Sequence, residues 1–179
     1  MFMNFEYYLV IFAIGLGYIF YLFIVYWQTR VPYVTTPKKY LAKLLAELPI
    51  TNYSIIYDLG SGKGDFVFAA EKYHPGKIVC YELSPLHVFY SRLKAKLIKS
   101  RAEFYRQDFL SADLSQVDIV YLFLVQPAID KLWPKLKAEM KSGAWIVVLS
   151  DRLPELRPTK IIDNPVHDSQ YFCYQLRRG

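Results

Sequence analysis

Eight residues constrain this chain more than any others: Asp58-Leu59-Gly60-Ser61-Gly62-Lys63-Gly64-Asp65. They join a short apolar run at 54–59 to a segment at 65–73 that reads as helix. A glycine-rich turn between strand and helix lets the backbone come close to a ligand, in the crevice at the carboxyl ends of a parallel sheet. The same alternation continues downstream. Strands are predicted at 77–81, 102–106, 117–125 and 145–149, with helices at 85–99 and 128–140 between them. The run at 117–125 is almost wholly apolar, as a strand buried on both faces should be. Two further strand candidates lie at 160–162 and 170–176. Alternation of this kind predicts an open, mostly parallel α/β sheet with helices on both faces.

The turn's ligand follows from its spacing. A dinucleotide fingerprint needs G-x-G-x-x-G, which would put its third glycine where Asp65 stands; a P-loop needs G-x-x-x-x-G-K-[ST], which Gly60 does not open. The pattern is D-x-G-x-G-x-G, with a carboxylate two residues before the first glycine. An acid there suits a cationic ligand, such as the amino and sulfonium groups of S-adenosylmethionine, better than a pyrophosphate. Glu82 closes the next apolar run, 18 residues after Gly64. A carboxylate in that place accepts hydrogen bonds from both hydroxyls of an adenosine ribose.

Upstream the composition changes. The whole chain is 54% hydrophobic and 17% aromatic with a net charge of +6, which excludes a disordered segment. Two cysteines exclude a disulfide scaffold. Residues 7–27 contain no charge and carry Tyr7, Tyr8, Tyr26 and Trp27 at their two ends. A helix of ~20 apolar residues with aromatic flanks is expected to cross a bilayer. Bulky Val25-Tyr26-Trp27 argues against a cleaved signal. Every Lys and Arg lies after Trp27, beginning with Arg30, so the expected topology is a single-pass anchor with the remainder on the cytoplasmic, or mitochondrial matrix, side. That remainder holds 22 basic and 15 acidic residues, a net +7 that favours anionic headgroups or nucleic acid as partners. The expected organisation is an anchor at 1–30, a linker and entry helix at 31–49 and one globular domain at 50–179. In the linker, Val31-Pro32-Tyr33-Val34 is extended, Thr36 caps the entry helix and Pro37 opens it.

Other polar residues have plainer readings. His74, His87 and His167 lack metal-ligand spacing, and no Cys/His cluster supports zinc. Cys80 and Cys173 lie in apolar strands as small buried side chains. Lys63 reads as a solvated turn residue, Asp108 as a cap for the segment after it, and Arg92, Lys96 and Lys99 as one solvated helix face.

DLGSGKGD at 58–65 resembles motif I of the class I, seven-strand S-adenosylmethionine-dependent methyltransferases. Tyr81-Glu82-Leu83-Ser84-Pro85 resembles their second motif, Arg106-Gln107-Asp108-Phe109 their third strand end, and Lys141-Ser142-Gly143-Ala144 the turn before their fifth strand. The resemblance implies a Rossmann-like, doubly wound seven-stranded sheet, here preceded by the N-terminal transmembrane helix. It assigns cofactor binding to Asp58, Gly60, Ser61, Gly62, Gly64, Asp65, Glu82, Leu83, Asp108, Phe109 and Leu124. Within that assignment Leu83 packs on the adenine, Asp108 accepts its amino group, Phe109 lies against the ring, and Leu124 to Gln126 line the point of methyl transfer.

Val31-Pro32-Tyr33-Val34 and the helix around Tyr90-Ser91-Arg92 are similar to a narrower family of membrane-associated protein-lysine N-methyltransferases. Its mitochondrial members modify the ADP/ATP carrier and the ATP synthase c-subunit. That likeness implies transfer of a methyl group from S-adenosylmethionine to a lysine of a membrane protein, with the bilayer contacted through residues 7–27. Candidates for directing the amine are Tyr33, Asp108, Gln126 and Asp151. The alternatives are a small-molecule or lipid methyltransferase at the membrane and a non-catalytic cofactor-binding membrane protein. Nucleic acid is disfavoured as acceptor, because the fourth-strand end reads Leu124-Val125-Gln126-Pro127 in place of N/D-P-P-Y/F.

Overall fold

A computed structural model describes residues 5–29, 38–164 and 169–177, and side chains are described in the first of these stretches at 5–21 and 23. Tyr33, the linker with Thr36 and Pro37, and His167 lie outside the described residues. The chain divides into two compact units, residues 1–33 and 34–179.

The first unit is one helix, α1 (Phe5–Thr29). Its side chains at 5–20 and 23 are exposed, among them Phe12, Ile14 and Phe20. The expected membrane anchor is overturned here: among the described residues, no helix is long and apolar enough to cross a membrane. Glu6, Tyr7, Tyr8, Gly15, Gly17, Tyr18 and Tyr21 dilute the apolarity of α1. The single-pass topology and the location built on it fall with that span, and bilayer contact through residues 7–27 is not shown.

The second unit follows the alternation read from the sequence. It runs α2 (Lys38–Ala46), β1 (Ile55–Leu59), α3 (Asp65–Ala70), β2 (Lys77–Tyr81), α4 (Pro85–Ile98), β3 (Glu103–Tyr105), β4 (Ile119–Leu122), α5 (Gln126–Glu139), β5 (Trp145–Leu149), β6 (Lys160–Asn164) and β7 (Ser169–Gln175). The seven strands form one sheet in the order β3-β2-β1-β4-β5-β7-β6. The pairings from β3 through β5 are parallel, and β7 runs antiparallel to both β5 and β6.

One face of the sheet, carrying Ile56, Ile78, Tyr121 and Val147, is covered by α2 and α3. Leu41, Leu44, Leu45 and Leu48 recur at helical spacing and are all buried. Phe66 of α3 stacks on Tyr121, ring centroids 4.0 Å apart and planes 5° from parallel. α5 buries a stripe of its own, Ile129, Leu132, Trp133 and Leu136. Between β3 and β4 the chain makes only a 3-10 turn, Phe109–Ser111. On the face opposite the α2–α3 core, Tyr57, Tyr81 and Tyr105 form a ladder across β1, β2 and β3, with centroids 5.7 and 5.9 Å apart.

α4 is built differently. Ser84 caps it, accepting from the His87 amide at 3.3 Å, and Pro85 opens it. The residues it buries are His87, Val88 and the small Ser91 and Ala95.

Candidate cofactor site

The crevice outside the carboxyl ends of β1 and β4 is where the topology reverses direction, since β2 lies on one side of β1 and β4 on the other. The glycine turn sits there. Gly60, Gly62 and Gly64 all adopt left-handed backbone angles, φ 90°, 52° and 77°. A side chain at Gly60 would be strained and would also bring its Cβ to 2.7 Å from Leu124 Cδ2. At Gly64 it would meet the Phe68 and Phe104 rings at 2.9 and 3.1 Å.

The turn is fastened by its own amides. Gly60 and Ser61 donate to the Tyr81 carbonyl at 2.9 and 3.1 Å, and Gly64 donates to the Ser61 carbonyl at 2.8 Å. Gly62 donates to Glu82 Oε2 at 2.8 Å, and Ser84 donates to Glu82 Oε1 at 2.7 Å. From α4, the Ser91 hydroxyl donates to the Gly62 carbonyl at 3.2 Å. Four amides of the turn are thus committed inside the protein. That leaves little of the donor nest a phosphate needs and agrees with the exclusion of a P-loop.

What the turn offers instead is negative charge. Asp58 is 2% exposed. Burial, then the charge of Glu82, then that of Asp65, holds its carboxyl well above the usual carboxylate range. A cationic group at this point would offset all three effects. The Ser61 hydroxyl is buried and has no hydrogen-bond partner. An orphaned hydroxyl, an electronegative strand end and a turn closed to phosphate fit an aminoalkyl sulfonium cofactor. Glu82 braces the turn, yet a carboxylate has about four acceptor positions and two are occupied, leaving two for ribose hydroxyls. His87 Nδ1 lies 4.0 Å from Glu82, and burial holds the imidazole below its ordinary pKa. Leu83 is exposed at the rim.

Other expected residues have additional or different surroundings. Asp108 caps the 3-10 turn, its Oδ1 accepting from the Leu110 amide at 2.9 Å. Lys63 lies 5.7 Å from the Tyr90 ring centroid. Arg92 is no mere solvated residue, because its guanidinium donates twice to the Phe104 carbonyl, at 3.0 and 2.6 Å. Gln126 opens α5 and donates from Nε2 to Asp130 Oδ1 at 2.7 Å and to the Arg152 carbonyl at 3.0 Å. Asp151 follows Ser150, a non-glycine residue at φ 72°. Burial, then the charge of Asp130, raises the Asp151 carboxyl above its ordinary pKa. Asp130 escaped the sequence reading, although its place four residues after Gln126, one turn along the same helix face, is a legible signal. Among the described residues, no group of three or more His, Cys, Asp and Glu is placed to hold a metal ion.

The strand order, the acid beneath the glycine turn and the second acid at the end of β2 define a class I S-adenosylmethionine-dependent methyltransferase. The profile of the ANTKMT methyltransferase domain matches residues 58–160, and the chain belongs to that family. A protein-lysine N-methyltransferase of Saccharolobus islandicus is 28% identical over 136 residues, 74% of this chain and 84% of that protein. The ATP synthase c-subunit lysine N-methyltransferase of Xenopus laevis is 31% identical over 138 residues, covering 76% of this chain but 59% of its own length. Among solved structures, an RNA methyltransferase from Salinibacter ruber in complex with S-adenosyl-L-homocysteine superposes with a TM-score of 0.76 at 26% identity, covering 82% of this chain and 95% of that one.

Proposed function

We propose that this methyltransferase acts on the side-chain amine of a lysine in a protein, and that the acceptor is a membrane protein. The observation that carries the lysine reading is the Asp130–Asp151 pair with Gln126, Gln126 opening α5, Asp130 lying at the start of that helix and Asp151 just after β5. Two acids at the acceptor side attract an ammonium group and repel a polyphosphate backbone. The similar proteins named for protein-lysine methylation support the same acceptor class, and the ATP synthase c-subunit in the name of the Xenopus laevis relative supports a membrane protein.

S-adenosylmethionine, when bound, supplies a methyl group on a sulfonium, so the protein's part is orientation and proton handling. Asp58 would receive the cofactor's amino end, Glu82 its ribose hydroxyls, and Gly60, Ser61, Gly62 and Gly64 its close approach. Asp65, Leu83, Asp108, Phe109 and Leu124 complete this assignment. A lysine amine is protonated at neutral pH, with an ordinary pKa of about 10.4. It must shed that proton before its lone pair can attack. Asp151 is assigned the proton, because burial and Asp130 make its carboxylate a better base than an exposed one. Gln126, held by Asp130 and the Arg152 carbonyl, positions the amine. The freed amine would then take the methyl group that the bound sulfonium would supply.

Methyl-labelled cofactor supplied to the full chain with a membrane extract should label a protein band whose mass spectrum shows methylated lysine. Label entering RNA or the organic phase overturns the acceptor. Asp58→Ala should abolish cofactor binding in calorimetry. Asp151→Asn should keep cofactor affinity and lower kcat about 100-fold, the lower bound for a lost general base.

A further inference from the structure

The outer face of α4 is not absorbed by cofactor binding. Leu86, Phe89, Tyr90, Leu93 and Leu97 follow the spacing i, i+3, i+4, i+7, i+11, one stripe about 100° wide along the helix. All five are exposed, with Phe89 at 68% and Leu97 at 75%, whereas Ser91 on the opposite side is at 0%. A globular helix ordinarily turns its large apolar residues inward, and this one turns them to solvent.

The charges beside the stripe say what covers it. From Pro85 to Lys99 the sequence holds Arg92, Lys94, Lys96 and Lys99 and no acid. At 100° per residue, Lys94 and Lys96 fall on the two flanks of the stripe; the Lys94 ammonium lies 4.1 Å from the Phe68 ring centroid, and Lys96 is exposed. Lys63, over the Tyr90 ring, extends the basic border to the glycine turn. A second copy of the same face would bring like charges together. An apolar stripe bordered by lysines is complementary to a surface that is anionic above and apolar beneath, which is an anionic lipid leaflet.

We infer that α4 is an interfacial helix, lying flat on anionic lipid with Phe89, Leu93 and Leu97 inserted among the acyl chains and Lys96 on the headgroups. Contact of this kind needs no spanning segment. Because Ser91 joins α4 to Gly62, it sets the cofactor crevice beside the lipid surface. The inference stands on α4 alone and is independent of the acceptor's identity.

The test reads α4 directly, whatever the rest of the chain does in lipid. Cys80 and Cys173 are buried, so Leu93→Cys in the full chain offers one exposed thiol for an environment-sensitive fluorophore. Retained cofactor binding in calorimetry confirms that the labelled protein is folded. Vesicles of phosphatidylcholine and phosphatidylglycerol bearing an acyl-chain nitroxide should shift the emission to the blue and quench it; added salt should reverse both. Pure phosphatidylcholine vesicles should do neither. Lys96→Gln should weaken the partitioning about fivefold. An unquenched label on anionic vesicles, or equal quenching on neutral ones, overturns the inference. So does a label that a protein fraction protects while vesicles leave it untouched, because the stripe then belongs to a protein partner.

Discussion

Two helices of the same domain, α2 and α4, use the same spacing of apolar residues in opposite senses. In α2 the leucines at 41, 44 and 45 face the sheet and are buried. In α4 the large residues face away, and serine, alanine and histidine face in. The reason lies in what each helix passes. α2 meets Ile56, Ile78 and Tyr121, which offer a broad apolar surface. α4 crosses the glycine turn closely enough for Ser91 to bond the Gly62 carbonyl. A leucine at 91 would hold the helix away from that turn. Small inner residues are therefore a condition of a well-placed cofactor loop, and the large outer residues are left to another use.

The largest effect should come from α2. Leu44→Ala empties a fully buried position, and such truncations cost about 2–5 kcal/mol. Urea unfolding followed by circular dichroism should show the midpoint fall by the corresponding amount. A loss under ~1 kcal/mol would mean that α2 is not part of the core and would remove the contrast.

How much of this was legible beforehand depends on the kind of signal. β2 and β5 begin and end where their apolar runs do, at Lys77–Tyr81 and Trp145–Leu149. β4 is shorter than its apolar run, because the chain leaves the sheet after Leu122 to begin α5 at Gln126 with Pro127 in its first turn. Periodicity counts apolar residues and cannot register that exit. The glycine turn and the two acids, Asp58 and Glu82, were legible because their spacing is local. Glu82's bond to the Gly62 amide was not, since it depends on how closely β2 approaches the turn. The membrane-crossing expectation came from counting uncharged residues across 7–27. Among the described residues, the structure contains no helix that meets the length and apolarity of a span. The facing of α4 was hidden for a related reason. A hydrophobic stripe identifies a helix, but which side packs is decided by what lies beneath it.

A smaller effect tests the cause given for that inward-facing serine. Ser91→Leu adds volume where no space is left, and overpacking of this kind costs about 1–3 kcal/mol. It also removes the hydrogen bond to Gly62, so the turn should lose its fixed position. Cofactor affinity measured by calorimetry should fall along with stability. If the variant keeps full affinity, the close approach of α4 is not what places the turn.

The smallest effect is the most discriminating. Leu93→Ala on α4 deletes the same atoms as Leu44→Ala, yet from a side chain that is 48% exposed. It leaves no cavity, and alanine is at least as good a helix former as leucine, so unfolding stability should change by under ~0.5 kcal/mol. Cofactor binding should be unaffected, because Leu93 lies outside the turn's hydrogen bonds. Partitioning onto anionic vesicles should weaken, since an inserted leucine loses its transfer energy. Should Leu93→Ala instead cost as much as Leu44→Ala, the outer stripe would already be packed within the protein. The two helices would then differ only in which partner covers them, and α4 would have no face left for lipid.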